Sequence, residues 1–275
     1  MQRYFPKDKQ DDNFILYDKD IHHIKNVMRN NVGDTIEVVY ENKIYLCQIS
    51  NLTPLTLEIK DVRVEDREMS TELTVAISLV SEQKFDLILQ KLTELGVSTI
   101  IPVKTSRSIV KVDEKKLPKK YERWQTICKE ASEQSHRTTI PKVEEVMTLK
   151  QLVQVPKDIK LICSLRENTK SLKEYLNNKP KNILFIIGPE GGFSKEEEEY
   201  LLNNDFLPTS LGKRVMRVET AAIYVASVIN YICEGWYYYE FYNWFLPWIR
   251  YYKSNYFLGN NTSSYSLISV LNNNS

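Results

Sequence analysis

Two stretches in the second half of the chain combine residue types that can hold a ligand and do chemistry. The first is GPEGG (188–192), which lies between the apolar run NILFII (182–187) and the acidic run KEEEE (195–199). Glycines let a ligand approach the backbone closely, and Ser194 with Glu197 makes a capping-box pattern that predicts a helix start. A buried strand, a tight loop and a helix N-terminus together favour a nucleotide-like ligand at the carboxyl end of a parallel sheet.

The loop does not match either of the common phosphate-binding motifs. It has neither the GxxxxGK[ST] pattern nor GxGxxG, so ATP and NAD gain little support. The carboxylates of KEEEE already occupy the positive end of the helix dipole, which disfavours a phosphate there. The pattern therefore predicts a nucleoside or an amino acid of neutral or positive character.

The second stretch, SLGKRVMRVET (210–220), places two arginines ahead of an alanine-rich segment. Arg214 and Arg217 are spaced to point the same way on a turn, and Thr220 is expected to open a helix that reaches residue 233. Spacing alone leaves two interpretations open. The arginines face a site, or they face solvent beside a closing helix.

Charge and cysteine usage narrow the class of protein. The formal net charge is only +1 over 275 residues, so affinity for nucleic acid must come from a local patch. Residues 104–142 hold eleven Lys or Arg against five Asp or Glu, a net of +6, although an ordinary solvated helix face would carry the same charge. Cys47, Cys128, Cys163 and Cys233 lie far apart in apolar surroundings, which predicts free thiols in a reduced, cytoplasmic protein. Few histidines, no CxxC and no apolar N-terminal run predict no metal site and no membrane segment.

The elements that must position these stretches fall into two regions. Residues 35–61 read as short strands rich in β-branched side chains, and a helical pattern over 21–33 precedes them, which predicts a small β-meander or barrel. After a charged connector near residue 70, apolar strands alternate with amphipathic helices, first over 73–103 and again from residue 160. This alternation is typical of an α/β fold with a mostly parallel sheet covered on both faces.

The chain resembles the SPOUT methyltransferases, and within them the branch that methylates N3 of a uridine in small-subunit ribosomal RNA. The resemblance is carried first by GPEGGFS and SLGKRVMRVETAA, and it extends from about residue 1 to residue 234. The other motifs, in the order of that branch, are RYF (3–5), HHIKNVMRNNVGD (22–34), ILQKLTELGVSTIIPVKTSRS (88–108) and EASEQSHRTTIPKV (130–143).

This resemblance implies a division of the chain and a set of ligands. It implies a PUA-like RNA-binding β-barrel domain over 1–70 and a SPOUT domain with a parallel sheet and a trefoil knot over 71–234. The aromatic and Asn-rich segment 235–275 is an atypical extension. S-adenosylmethionine is the implied cofactor, ribosomal RNA the implied partner and a homodimer the implied assembly. The implied cofactor residues are Leu165, Gly188, Pro189, Glu190, Gly191, Gly192, Leu211, Gly212, Val215, Met216, Arg217 and Thr220.

Methyl transfer from a sulfonium needs no metal and no covalent enzyme intermediate, but N3 of uridine becomes nucleophilic only as its proton leaves. An arginine beside the carbonyl oxygens of the base would stabilise that anion, so Arg217, and after it Arg214, are candidate catalytic residues. Glu219 is the third candidate, to orient an arginine or accept the proton, and stabilisation of its own helix is an equally simple role. The candidate RNA contacts are Arg3, His22, Arg29, Arg107, Gln134 and Arg137.

Two other functions stay open. A catalytically silent RNA-binding or ribosome-assembly factor could keep this fold, although the intact cofactor motifs favour an active enzyme. A ribose 2'-O-methyltransferase of the SPOUT class would share the knot, but the 22–34 and 130–143 motifs favour the uridine branch. For 235–275, the hypotheses are a stacking surface for single-stranded RNA, attachment to a membrane surface, or a lineage-specific addition without function, which we favour.

Overall fold

The N-terminal region is built on a small, mostly antiparallel sheet. The computed structural model describes residues 1–11, 13–108, 110, 113–164, 166 and 169–233 of the chain. Strand β1 runs parallel to β4, β4–β5 and β5–β6 are antiparallel, and the sheet order is β1-β4-β5-β6, while β2 and β3 form a hairpin. These strands are β1 (Arg3–Tyr4), β2 (Asp8–Gln10), β3 (Asn13–Ile15), β4 (Thr35–Tyr40), β5 (Lys43–Leu52) and β6 (Leu55–Arg63).

A short helical segment lies between the hairpin and β4. It begins as α1 (Asp18–His22) and continues as a π-helical turn (His23–Val27). The helical pattern predicted here consists of Ile21, Ile24, Val27 and Met28 at helical spacing. Ile24 is fully buried, but Val27 and Met28 are 59% and 40% exposed, so the prediction of one apolar face is wrong at its C-terminal end. A π-helical turn holds more residues than an α-helical one, and the α-helical spacing is therefore lost after Ile24.

The larger region contains one parallel sheet. All its strand pairs run parallel, and their order is β10-β8-β7-β13-β11-β14-β12, with β9 also paired to β8. Its central strands are continuous apolar runs because both faces are covered. The strands are β7 (Glu72–Ser78), β8 (Thr99–Lys104), β9 (Lys142–Val143), β10 (Met147–Thr148), β11 (Ile159–Cys163), β12 (Lys170–Ser171), β13 (Asn182–Ile187) and β14 (Phe206–Ser210).

Helices cover this sheet on both sides. The first face packs against α2, α3, α5 and α7, whose apolar residues share one core with Val75 and Ile77 of β7. The second face packs against α4 and α6, around Ala76 of the same strand. The α/β class, with a parallel sheet after a small N-terminal β region, is thus confirmed. The helices are α2 (Glu82–Glu94), α3 (Leu117–Gln134), α4 (Leu149–Leu152), α5 (Leu172–Leu176), α6 (Lys195–Leu202) and α7 (Val218–Cys233).

Candidate functional site

A pocket opens where three neighbouring strands of the parallel sheet end. Strands β13, β11 and β14 are adjacent in that order, so the segments that follow them meet at the carboxyl edge of the sheet. The pocket between these segments has a volume of about 570 Å³, within the range of sites for small molecules. All the predicted cofactor residues except Leu165 and Thr220 line it.

The two exceptions have different reasons. Leu165 lies outside the described residues, although Ser164 immediately before it lines the pocket. Thr220 is exposed within the first turn of α7, which begins at Val218, earlier than the sequence pattern predicted. Val218 and Ala221 of the same turn do line the pocket.

The glycine loop is a tight turn held by the helix that follows it. The Gly192 N–H donates to the Pro189 carbonyl at 2.8 Å, and Gly192 has a φ of +66°, which favours glycine. The predicted capping box is present, because the Glu197 N–H donates to Ser194 Oγ and the Ser194 N–H to Glu197 Oε2. The loop therefore presents its backbone to the pocket from a fixed position.

Cations from two other elements brace the same loop. Arg107, which follows β8, donates from Nη1 to the Gly191 carbonyl at 3.0 Å and to the Phe193 carbonyl at 3.2 Å. Lys84, in the first turn of α2, donates from Nζ to Glu190 Oε1 at 2.8 Å. This hydrogen bond holds the pKa of Glu190 below its ordinary value. Glu190 of the GPEGG motif is therefore ionised, and its bond with Lys84 holds the loop in place.

Two polar residues that line the pocket, Ser164 just after β11 and Glu198 of α6, were missed by the sequence patterns. Ser164 is buried and donates from Oγ to Glu198 Oε1 at 2.6 Å. Arg166 pairs with the same carboxylate, with Nε 3.2 Å from Oε1. In the sequence Glu198 is one of several adjacent acids at the start of α6, and no pattern distinguishes it from the others. The structure does, because the end of β11 lies beside that helix and Ser164 bonds to Glu198. Cys163 also lines the pocket, where burial raises the pKa of its thiol to about 11, so it stays protonated at neutral pH.

The candidate catalytic residues lie at the start of α7 and just before it. Arg214 and Arg217 line the pocket and are exposed, and neither guanidinium forms an ion pair or side-chain hydrogen bond with any residue that the structure describes. They are therefore available to an anionic ligand. Glu219 is partly buried, and its Oε2 is buried without a hydrogen-bond partner among the described residues. Its charge contributes to the raised pKa of Lys84, although the hydrogen bond with Glu190 is the larger cause.

The predicted RNA contacts separate into surface and interior residues. His22, Arg29, Arg107 and Gln134 are exposed. Arg3 and Arg137 are 1% and 5% exposed, and their guanidinium groups bind Glu37 and Glu68, respectively. These two arginines are therefore corrected from RNA contacts to structural residues, because their charges are already paired inside the protein.

Within the described ranges, no group of three or more His, Cys, Asp or Glu is arranged to hold a metal ion. No helix among those residues has the length and apolar character needed to span a bilayer. All four cysteines are free, as the sequence predicted.

Comparison with known proteins places the chain among RNA-modifying enzymes. Residues 67–230 match the model of an RNA methyltransferase domain, and residues 16–62 match that of an RNA methyltransferase PUA domain. The chain is 37% identical over 251 residues to ribosomal RNA small subunit methyltransferase E of Bacillus subtilis, a match that covers 85% of this chain and 98% of that protein.

Solved structures give the same result. A methyltransferase from Legionella pneumophila, solved with bound S-adenosylmethionine, superimposes with a TM-score of 0.77 at 32% identity over 82% of this chain and 96% of that one. Ribosomal RNA small subunit methyltransferase E from Neisseria gonorrhoeae, also bound to S-adenosylmethionine, gives 0.75 at 29% identity over 83% and 96% of the two chains.

Proposed function

This chain belongs to the ribosomal RNA small subunit methyltransferase E family, and we propose that it transfers the methyl group of S-adenosylmethionine to N3 of a uridine in small-subunit ribosomal RNA. The observation that carries the proposal is the pocket formed by the segments after β11, β13 and β14. It combines a backbone-lined turn, the paired carboxylates of Glu190 and Glu198, and two arginines without a side-chain partner among the described residues.

The pocket fits this cofactor. Its volume suits a nucleoside joined to an amino acid, and the glycine loop offers backbone N–H and C=O groups for the base and the hydroxyls. Glu198 lines the pocket and balances the charge of Arg166, so that this cation does not repel a ligand with a sulfonium and an ammonium group. When bound, S-adenosylmethionine supplies the electrophilic methyl group.

Side chains at the start of α7 and just before it stabilise the developing anion and accept the proton. Removal of the N3 proton leaves negative charge on the carbonyl oxygens of uracil, and a guanidinium that lines the pocket stabilises that anion. Arg217 takes this role and Arg214 assists, because both line the pocket and neither side chain has a partner among the described residues. Glu219 is not among the described residues that line the pocket, but it follows Val218, which does line it, and one of its carboxylate oxygens has no partner among those residues. It therefore stays the proposed proton acceptor.

The proposal extends to the organisation and the setting of the enzyme. The region before residue 70 binds RNA, residues 71–234 bind the cofactor, and the enzyme works in the cytoplasm as a homodimer. The apolar residues of α7, among them Ala222, Val225 and Ile229, are buried in the core of the chain itself. The same helix exposes Tyr224 and Tyr231 by 41% and 67%, which leaves an aromatic surface for a second copy. The segment 235–275 lies outside the described residues.

The test is a methylation assay on isolated small ribosomal subunits with labelled S-adenosylmethionine, followed by mass spectrometry of the nucleosides. We expect 3-methyluridine from the wild type. Arg217→Met should lower kcat by about 10²–10³-fold while the cofactor still binds in calorimetry. Lys195→Met is the matched control, because Lys195 is exposed at the start of α6 and is not among the described residues that line the pocket.

Other outcomes separate the alternatives. A 2'-O-methylated nucleotide would replace the proposal with ribose methylation. If folded wild-type protein neither binds the cofactor nor transfers label, the catalytically silent RNA-binding or ribosome-assembly factor becomes the favoured function.

A further inference from the structure

The segment 135–139, Ser-His-Arg-Thr-Thr, belongs to a motif that the sequence analysis associated with RNA, but the structure gives it another set of contacts. It follows α3 and leads toward β9. His136 has a φ of +57°, a left-handed conformation that a residue other than glycine adopts only when its surroundings hold it there. Residues from the N-terminal sheet and from the connector after β6 hold it.

The first of these residues is Arg3 of β1. Its side chain is fully buried, and Nη1 donates to the carbonyls of His136 at 2.6 Å and Arg137 at 3.2 Å. On the other side, Nε donates to Glu37 Oε2 at 2.9 Å, within the N-terminal sheet. A single buried guanidinium therefore joins the N-terminal sheet to the segment 135–139.

The second residue is Glu68, in the connector between β6 and β7. Its Oε1 accepts hydrogen bonds from the backbone N–H groups of Thr138 at 2.9 Å and Thr139 at 3.1 Å. Its Oε2 accepts from Nε of Arg137 at 3.0 Å, and Nη1 of that arginine donates to the Val97 carbonyl at 2.8 Å. The segment is thus fixed to the connector before β7 and, through the carbonyls of Thr93 and Val97, to the end of α2 and the loop that follows it.

Apolar contact and a backbone hydrogen bond extend this junction along β1 and β4. Phe5, Val39 and Ile44 form a small cluster on one face of the N-terminal sheet, and Ile140 packs against it. The Phe5 N–H donates to Glu133 Oε1 of α3 at 3.0 Å. The orientation of the N-terminal sheet relative to the parallel sheet is therefore set by two kinds of contact: the buried hydrogen bonds of Arg3 and the apolar cluster around Phe5.

We infer that Arg3 is a positioning residue for the RNA substrate: through the segment 135–139 it fixes the N-terminal sheet at the orientation that delivers the target uridine to Arg217. This inference rests on the proposed function. RNA is recognised through shape over a long surface, and the reacting atoms must come within about 3–3.5 Å of each other. A change in the angle between the two sheets would misplace the base at the pocket and leave the cofactor loops untouched.

The experiment compares Arg3→Lys with Arg63→Lys. The first variant keeps a cation beside Glu37 but cannot bond that carboxylate and both carbonyls together, because an ammonium lacks the planar fork of a guanidinium. Arg63 pairs with the same Glu37 from β6 of the N-terminal sheet, so its replacement weakens an ion pair at the same carboxylate without touching the segment 135–139. The full chain is used throughout.

Three quantities are measured for each protein: the Kd for S-adenosylmethionine by calorimetry, kcat and KM with small ribosomal subunits, and the radius of gyration by small-angle X-ray scattering. For Arg3→Lys we expect an unchanged cofactor Kd, a loss of kcat/KM for the subunit of about 10-fold or more, and a larger radius of gyration. Arg63→Lys should match the wild type in cofactor Kd and radius of gyration, and its kcat/KM for the subunit should fall less than that of Arg3→Lys.

Equal losses of cofactor affinity and subunit methylation in Arg3→Lys would indicate general damage to the fold and overturn the inference, as would agreement between the two variants. If Arg3→Lys does not fold, Glu68→Gln is used instead, because it loosens the other side of the segment. It must then leave the cofactor Kd unchanged, lower kcat/KM for the subunit and raise the radius of gyration. A wild type that binds no cofactor and methylates no RNA refutes the proposed function instead. The scattering comparison then decides the orientation role by itself.

Discussion

Replacement of Glu68 by Gln tests how strongly the connector holds the segment 135–139. The amide oxygen of Gln can still accept from the Thr138 and Thr139 backbone groups, whose donors lie 2.9 and 3.1 Å from Glu68 Oε1. The amide nitrogen, however, points donors at the Arg137 guanidinium, which has only donors itself. Arg137 thereby loses its counter-charge while its side chain stays 6% exposed.

The size of the effect follows from these exposures. Loss of one partner from a fully buried ion pair costs about 3–5 kcal/mol. Because the Glu68 side chain is 25% exposed and Arg137 keeps its bonds to two backbone carbonyls, the free energy of unfolding should fall by about 2–3 kcal/mol. For a domain of this size, that corresponds to a Tm lower by about 5–10 °C.

Glu94→Gln is the matched control. The Glu94 side chain is 27% exposed, close to that of Glu68, but its partner Lys91 is 37% exposed and can be solvated when the pair is lost. We expect that variant to lose about 0.5 kcal/mol or less. Both are measured by urea unfolding followed by tryptophan fluorescence. Equal losses in the two variants, or a loss below about 1 kcal/mol for Glu68→Gln, would refute the argument that partner burial sets the cost.

The pH dependence adds a second check on the same variant. Burial by itself would raise the pKa of Glu68, but the hydrogen bond and charge of Arg137 outweigh it, and the folded pKa lies below its ordinary value. A lowered folded pKa stabilises the protein above the unfolded pKa of about 4.3, and this stabilisation is lost as the pH falls through the folded value. The gap in unfolding free energy between wild type and Glu68→Gln should therefore be constant near neutrality and shrink below about pH 4.

Three further changes probe the pocket. In Gly188→Ala the new Cβ would lie 3.0 Å from the Phe193 ring, so we expect weaker cofactor binding in calorimetry and lower stability in urea unfolding. Gly191→Ala is the control and should unfold like the wild type, because its new Cβ would have no contact closer than 3.6 Å. Glu198→Gln leaves the charge of Arg166 unbalanced beside the pocket and should raise the Kd for S-adenosylmethionine more than that for S-adenosylhomocysteine, whose sulfur is uncharged, with equal changes contradicting a charge effect. Ser194→Ala removes the N-cap of α6 and should cost about 1 kcal/mol in urea unfolding, and no change would mean that Glu197 alone caps the helix.

The local parts of this site were predictable from the sequence. The capping box over 194–197 and the apolar run before the glycine loop involve residues close in the chain, so spacing was enough to predict a strand, a turn and a helix start. The sequence pattern predicted that α7 begins at Thr220, but it begins at Val218. The prediction was late because neither Val218 nor Glu219 marks the end of a loop.

The errors arose where a partner is distant in sequence. Arg3 and Arg137 looked like surface cations, but they bind Glu37 and Glu68, which lie 34 and 69 positions away. The role of Glu198 was not predictable for the same reason, because its partner Ser164 is 34 positions away, just after β11, and only the sheet order brings that point beside α6. Burial of a charge depends on such long-range pairing, and no periodic pattern records it.

The strand order also sets when the site can exist during synthesis of the chain. Strand β7 pairs with β13 from Glu72↔Asn182 onward, and β11 is held between β13 and β14, both of which follow it in the chain. At about 5–20 residues per second, the β13 side of β7 waits roughly 5–20 s on the ribosome for its partner. The N-terminal sheet, whose paired strands all precede residue 64, needs no such delay. The strand pairs of the part proposed to bind RNA can therefore form long before the chain has anywhere to hold a methyl donor, whereas the contacts of Arg3 and Phe5 with residues 133–137 wait for that later segment.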